Sequence, residues 1–305
     1  VTVALVALKI DVDTYRGTRE GALRLADLLE RLGVRATFLF SLGPDHTGRA
    51  IRRAFRRGFL GKVKRTSVLE HYGVKTLLYG VLLPGPHIGR RCAQQMRDIA
   101  GRGFEVGVHT WDHVRWQDGV GRASEAWTRR ELTLARDQFA EVFARAPQVH
   151  GAAGWQMNRY VPALQQALGF RYASDTRGTG PFLPVQDHAA GTVPQLPTTL
   201  PTLDELIGRE DLPDRDPVDH LLALTDSAPA RDQVFTLHAE LEGGAYLPSF
   251  ERLLRAWQQR GLNLSDLATY AGQLHFPSLP RCSIVAGTVQ GRSGTLALQS
   301  QWHSP

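Results

Sequence analysis

Titratable residues collect just downstream of the chain's most apolar segments, and this pattern narrows the choice of fold more than any other. The run VALVALKI (3–10) is apolar without alternation, as a strand covered on both faces must be, and Asp11 and Asp13 follow it. RATFLFSL (35–42), FEVGVH (104–109), PQVHGAA (147–153), FRYASD (170–175) and QVFTLH (233–238) read as further strands. Between them lie segments with leucines at helical spacing. These are 19–33, ending in Gly33 as a C-cap, then 88–101, 124–144 and 247–261, the last with Ser249 as its N-cap. Such alternation predicts an α/β fold with parallel strands, and in such folds chemistry gathers at the carboxyl ends of the strands. There the sequence places Asp11, Asp13, His109, His113, Asp175, Arg177 and His238.

The chain has 305 residues, enough for one sizeable core, and shows no internal repeat. Its two cysteines, Cys92 and Cys282, have no zinc spacing and suggest a reducing compartment. No apolar run is long enough for a transmembrane helix, and the N-terminal residues read as a strand rather than a signal peptide. The net charge of +6 suits an anionic partner without saying which.

HTWDH (109–113) spaces two imidazoles four apart; on a helical turn they share one face and grip one ion. Singly, each motif is weak: such a histidine pair is more often a surface or core pair, and a DVD more often a cap. Together, at neighbouring strand ends, they form a divalent-metal set of Asp13, His109 and His113. Asp11, on the same side of an extended strand as Asp13, is then free to act as general base. His238, across the mouth, serves as acid to a leaving amine.

The set IDVD, HTWDH, AAGW, SDTRG and TLHAE resembles the polysaccharide deacetylase (NodB-homology) superfamily of metal-dependent amide hydrolases. The resemblance implies a distorted (β/α) barrel of about seven parallel strands, read as a single catalytic domain over 1–305. It assigns the base to Asp11, the acid to His238 and the ligands to Asp13, His109 and His113, with Leu237 lining the acyl pocket. The ion would be zinc, manganese, cobalt or nickel. The sequence departs from the family in two places. Val12 separates the two aspartates. AAGW stands where many members carry a base-tethering arginine, which makes Trp155 a lining residue and Arg177 the candidate tether, with a structural Arg177–Asp175 pair as the alternative.

Matching stretches across nearly the whole chain resemble most the branch that removes formyl from a polyprenyl-phosphate-linked 4-formamido-arabinose, an activity tied to lipid A modification and cationic peptide resistance. A related soluble N-deacetylase, and a non-catalytic anionic-lipid binder, are the alternatives. The segment GRAIRRAFRRGFLGKVKR (48–65) carries eight Lys or Arg and no acid. It reads as a basic amphipathic insertion, over about 46–86, that meets an anionic membrane surface, with Arg52 and Arg56 near the substrate phosphate. An outer helix with a solvated charged face is the competing reading. No nucleic-acid motif accompanies the charge and no protein partner is inferred. These expectations place the chain on the cytoplasmic face of a bacterial inner membrane as a peripheral protein. Asp204 and Glu205 read either as sugar contacts or as first-turn helix acids.

Overall fold

The computed structural model describes residues 4–50, 76, 78–186, 189–209, 212, 216–226 and 231–300. Arg52, Arg53, Arg56, Arg57 and most of the basic insertion lie outside the described residues. The strands are β1 (Leu5–Val12), β2 (Thr37–Ser41), β3 (Glu105–Thr110), β4 (Val149–His150), β5 (Tyr172–Ala173), β6 (Leu183–Gln186), β7 (Ala189–Ala190), β8 (Gln233–His238), β9 (Asn263–Ser265), β10 (Arg281–Gly287) and β11 (Leu296–Gln299). The helices are α1 (Ala22–Leu32), α2 (Ile88–Arg91), α3 (Ala93–Gly101), α4 (His113–Gly119), α5 (Glu125–Phe143), α6 (Val161–Ala167), α7 (Leu203–Leu206), α8 (Pro217–Asp226), α9 (Leu247–Gln259) and α10 (Leu267–Gly272).

Seven strands form one parallel sheet in the order β5-β4-β3-β2-β1-β8, with β9 also on β1. β1 is buried along its whole length. One of its edges runs against β8 from Val6 to Asp11, while the other meets β9 at Leu5–Ala7 and β2 at Lys9–Val12. Between β5 and β8 the extended segment 194–200 completes the ring. Leu196 N–H donates to Ala173 O (2.7 Å) and Thr199 N–H to Val234 O (3.0 Å). The expected distorted barrel is therefore what the chain forms.

The period of two sorts each strand. Val6, Leu8, Ile10 and Val12 pack outward with Leu25, Leu29, Phe250, Leu253 and other helix residues. Leu5 and Ala7 face a second, inner cluster with Leu39, Val149, Leu196 and Val234. Lys9 and Asp11 continue that inner register. The lumen is narrow: a Cβ on Gly151 would lie 2.4 Å from Leu39 Cδ1 and 3.0 Å from Lys9 Cε.

Some expected boundaries move. The 88–101 helix is broken at Cys92, whose dihedrals (φ −111, ψ 15) are not helical. α9 begins two residues before Ser249, with Tyr246 as its N-cap, because Pro248 fits the first turn, where its missing N–H is not needed. A mixed four-stranded sheet, β11-β10-β6-β7, has no counterpart in the sequence reading. It docks on the barrel at Arg177, whose N–H donates to Ala297 O (2.9 Å) and whose carbonyl accepts from Gln299 N–H (2.8 Å).

Candidate metal centre and active site

The carboxyl ends of β1, β3 and β8 open on one mouth. Asp11 and His238 are register partners across β1 and β8. Asp13 lies one residue beyond β1, where Glu240 grips the turn. The Glu240 Oε1 atom accepts the N–H groups of Asp13 (3.1 Å) and Thr14 (2.8 Å) and the Thr14 hydroxyl (2.8 Å). Burial and the nearby Asp13 push the Glu240 carboxyl up to about 8.

His109 and His113 do not share a helical face. His109 belongs to β3, and His113 is the first residue of α4. The strand-to-helix turn between them is held by Asp112, whose carboxylate caps Arg115 N–H (3.1 Å) and meets His46 Nδ1 (2.6 Å). The turn still delivers both rings to Asp13. His109 Nε2 lies 3.2 Å from Asp13 Oδ1, and His113 Nε2 lies 3.4 Å from Oδ2. One ligand atom from each of the three residues lies within 4.8 Å of the others, and among the described residues this is the group able to hold a metal ion.

The donor set fits a divalent cation on two further grounds. Asp13 Oδ1, Asp11 Oδ1 and His109 Nδ1 are buried with no hydrogen-bond partner, which is costly unless something else engages the cluster. Burial also pulls His113 below the usual imidazole range despite Asp13, with His109 and His238 adding repulsion, so its ring is neutral with a lone pair to offer. Burial works to raise Asp13, but His113, His109 and His238 outweigh it and hold the carboxyl far below the usual carboxylate range.

Asp11 is set apart from these three by its partner. Lys9, wholly buried, places Nζ 3.2 Å from Asp11 Oδ2 and 5.2 Å from the centre of the Trp155 ring. His109 Nδ1 lies 3.7 Å from the other Asp11 oxygen. Lys9 therefore stands beside Asp11 in the place for which the sequence offered Arg177. The guanidinium of Arg177 is instead engaged by Glu205 and by Leu200 O (3.0 Å). The sequence signal for Lys9 was present: a lysine two residues before Asp11, inside an otherwise apolar strand, shares its face.

Trp155 is buried under the mouth with a left-handed φ of 51, uncommon for a bulky residue. Its indole N–H donates to Thr198 Oγ1 (3.1 Å), and its ring carries three cations: Lys9, Arg177 at 5.1 Å and Arg292 at 4.8 Å. His238 stands edge-on to it at 6.3 Å. The His238 N–H donates to Glu242 Oε2 (2.8 Å), and its Nδ1 faces Asp204 Oδ1 at 3.7 Å. Asp204 is a first-turn acid of α7 that reaches the site. Glu205 completes a capping box with Thr202.

Two residues that the sequence reading brings to the mouth, Leu237 as an acyl-pocket lining and Asp175 as a substrate contact, are not there. Leu237 is fully buried in the outer core with Phe235, because only Val234, Thr236 and His238 of β8 share the inner face. Asp175 is wholly buried and saturated by His150 Nδ1 (2.7 Å), Ala152 N–H (2.7 Å), Gln165 (2.7 Å) and Gln195 (2.9 Å), so it knits the barrel wall. Arg292 and Glu242 went unread in the sequence.

A parallel-stranded barrel with an Asp–His–His cluster beside a separately paired carboxylate is the architecture of a metal-assisted amide hydrolase. The profile of the family described as Polysaccharide deacetylase matches residues 4–173, and the chain belongs to that family. A protein of Shewanella sediminis (strain HAW-EB3), named as the 4-deoxy-4-formamido-L-arabinose-phosphoundecaprenol deformylase ArnD, is 36% identical over 98% of this chain and 95% of its own length. One of Wigglesworthia glossinidia brevipalpis with the same name is 30% identical over 93% of this chain and 99% of its own. A polysaccharide deacetylase structure from Mycobacterium smegmatis shares the fold with a TM-score of 0.64 at 18% identity, covering 94% of this chain and 96% of that one. PuuE allantoinase shares it with a TM-score of 0.60 at 13% identity, covering 88% and 89%.

Proposed function

We propose that this chain hydrolyses the N-formyl group of undecaprenyl-phosphate-linked 4-deoxy-4-formamido-L-arabinose, releasing formate and the 4-amino sugar lipid used to modify lipid A. One observation carries the reading. Asp13, His109 and His113 converge on one point while Asp11 lies beside them, 3.7 Å from His109 Nδ1 and 3.2 Å from Lys9. The near full-length likeness to proteins named for this deformylation supplies the substrate.

A divalent cation held by Asp13, His109 and His113 supplies Lewis acidity to the amide carbonyl and acidifies water; zinc, manganese, cobalt and nickel all suit the donors. Asp11 takes a proton from the attacking water, and Lys9, 3.2 Å away, holds that carboxylate in place. The water oxygen bonds to the formyl carbon and the C–N bond breaks. His238 gives its proton to the departing sugar nitrogen. Trp155 floors the site and excludes water beneath it. The whole chain acts as one catalytic domain, and the 46–86 insertion, with Arg52 and Arg56, docks it peripherally on the anionic cytoplasmic leaflet where the lipid substrate resides. Among the described residues no helix is long and apolar enough to cross a membrane.

Mass spectrometry of the formamido-arabinose phospholipid tests this. Wild type converts it to the amine, while Asp11→Ala and His238→Ala leave it intact. Undiminished turnover by Asp11→Ala removes the assigned base. Charge reversal at Arg52, Arg53, Arg56 and Arg57 is expected to release the protein from anionic vesicles, and retained binding rejects that docking surface.

A further inference from the structure

We infer that Arg292, on the loop joining β10 and β11, is a positioning residue for the reaction: it holds Asp204 against His238 and so sets how firmly the imidazole keeps its proton. The inference rests on the reading of His238 as the acid. Arg292 lies beyond the part of the chain that the family profile covers. It reaches the mouth because its loop is fastened to α7. Gly291 has φ 84, and a Cβ there would lie 2.3 Å from Glu205 O, so only glycine lets the loop sit this close.

From that anchor the guanidinium makes a planar set of contacts. Its Nη2 meets Asp204 Oδ2 at 2.9 Å and Thr202 Oγ1 at 3.3 Å, and its Nε donates to Glu205 Oε1 at 3.0 Å. Its other face lies on Trp155 at 4.8 Å. The same Nη2 also meets Asp204 Oδ1 at 3.1 Å, an oxygen that accepts the Thr202 hydroxyl at 2.5 Å, and this held Oδ1 faces His238 Nδ1 at 3.7 Å. Burial would raise Asp204, but His238 and Arg292 outweigh it and keep the carboxyl below its usual range, so it faces the ring charged.

The charges around His238 come from every neighbouring element: Lys9 and Asp11 from β1 and Asp13 just beyond it, His113 from α4, Asp204 from α7, Glu242 beyond β8, and Arg177 and Arg292 on the shared Trp155 ring. Among these, Arg292 is the cation placed to offset Asp204. Removing it leaves that carboxylate uncompensated, so the imidazole holds its proton more tightly and becomes a poorer acid. Removing the Asp204 charge has the opposite effect. A purely structural role for Arg292 predicts neither sign.

Two readouts on the zinc-loaded protein test the inference. Histidine-labelled NMR, with the His238 signal assigned through His238→Gln, follows the ring titration without substrate. Arg292→Ala is expected to move it up by about 0.5–1 pH unit and Asp204→Asn down by a similar amount, with Arg292→Lys close to wild type. In formate release, Arg292→Ala is expected to lower kcat about 10–100-fold with little change in KM. Gly291→Ala, which keeps every polar group but lifts the loop, should behave likewise, while thermal melts check folding. Unmoved or same-direction titrations overturn the inference, as does a loss confined to KM, which would make Arg292 a substrate contact. If wild type releases no formate, the deformylase reading fails while the titration still decides the role of Arg292.

Discussion

Replacing Lys9 by methionine removes one charge from the barrel lumen and little else. The two side chains have similar length and volume, so no cavity opens. What changes is Asp11, whose Oδ2 loses a partner 3.2 Å away in a wall where both side chains are at most 3% exposed. At an effective dielectric of about 20 the gross attraction at that separation is roughly 5 kcal/mol. Desolvation of both ions offsets much of it, so the pair contributes little net stability. Removing one member instead leaves a buried, unpaired carboxylate, which costs about 3–5 kcal/mol.

The His109 Nδ1 atom, 3.7 Å from the other Asp11 oxygen, is too far to replace Lys9 by a hydrogen bond. Lys9→Met is therefore expected to lose about 3–5 kcal/mol in urea unfolding of the chelator-treated protein. The Lys9→Met/Asp11→Asn double variant should recover at least about 2 kcal/mol relative to the sum of the single changes. Turnover of Lys9→Met should fall by about 100-fold or more, because the base is no longer held in place. Lys9→Arg should not rescue it, since Lys9 is wholly buried and a planar guanidinium is bulkier than the ammonium it would replace. Single-variant effects that add to within about 0.5 kcal/mol would refute the coupling.

Removing a ligand should act on metal binding before it acts on the fold. His113→Ala is expected to weaken divalent-ion binding by at least about 100-fold in competition with a fluorescent chelator, and equal affinity rejects the ligand set. Burial pushes the wholly buried Glu242 carboxyl up from 4.5 to about 8. Between these values the unfolded chain ionises first, so the neutral acid's contribution is full below 4.5 and is lost as pH rises towards 8. Glu242→Gln should remove that decline, worth at most about 1.4 kcal/mol per pH unit, and parallel stability–pH curves for the two proteins would contradict it. Gly21→Ala adds a Cβ 2.0 Å from Ala239 O, so it should lower the melting temperature even though alanine is the better helix former by about 1 kcal/mol. A rise in melting temperature would show that the contact is soft.

The seven-strand barrel and the residues of its mouth were legible because their signals are local. An unbroken apolar run ending in DVD, and histidines after a strand, declare themselves within a few residues. The i, i+4 spacing pointed to the right pair for a helical reason that does not hold, since one ring ends β3 and the other begins α4. The short strands β4 and β5 were overestimated because apolar loop residues beside a barrel look like strand.

By itself, then, the sequence determined which polar side chains gather at the mouth and that parallel strands would bring their ends together, since period and polarity are written residue by residue. Only the tertiary structure decided who partners whom. Lys9 rather than Arg177 faces Asp11, Asp175 is spent on the wall, Leu237 points away from the lumen, and Arg292 arrives beside Asp204 from 88 positions along the chain. Those pairings depend on which face of a strand meets which loop across the ring, and a distance through space leaves no mark in the order of residues.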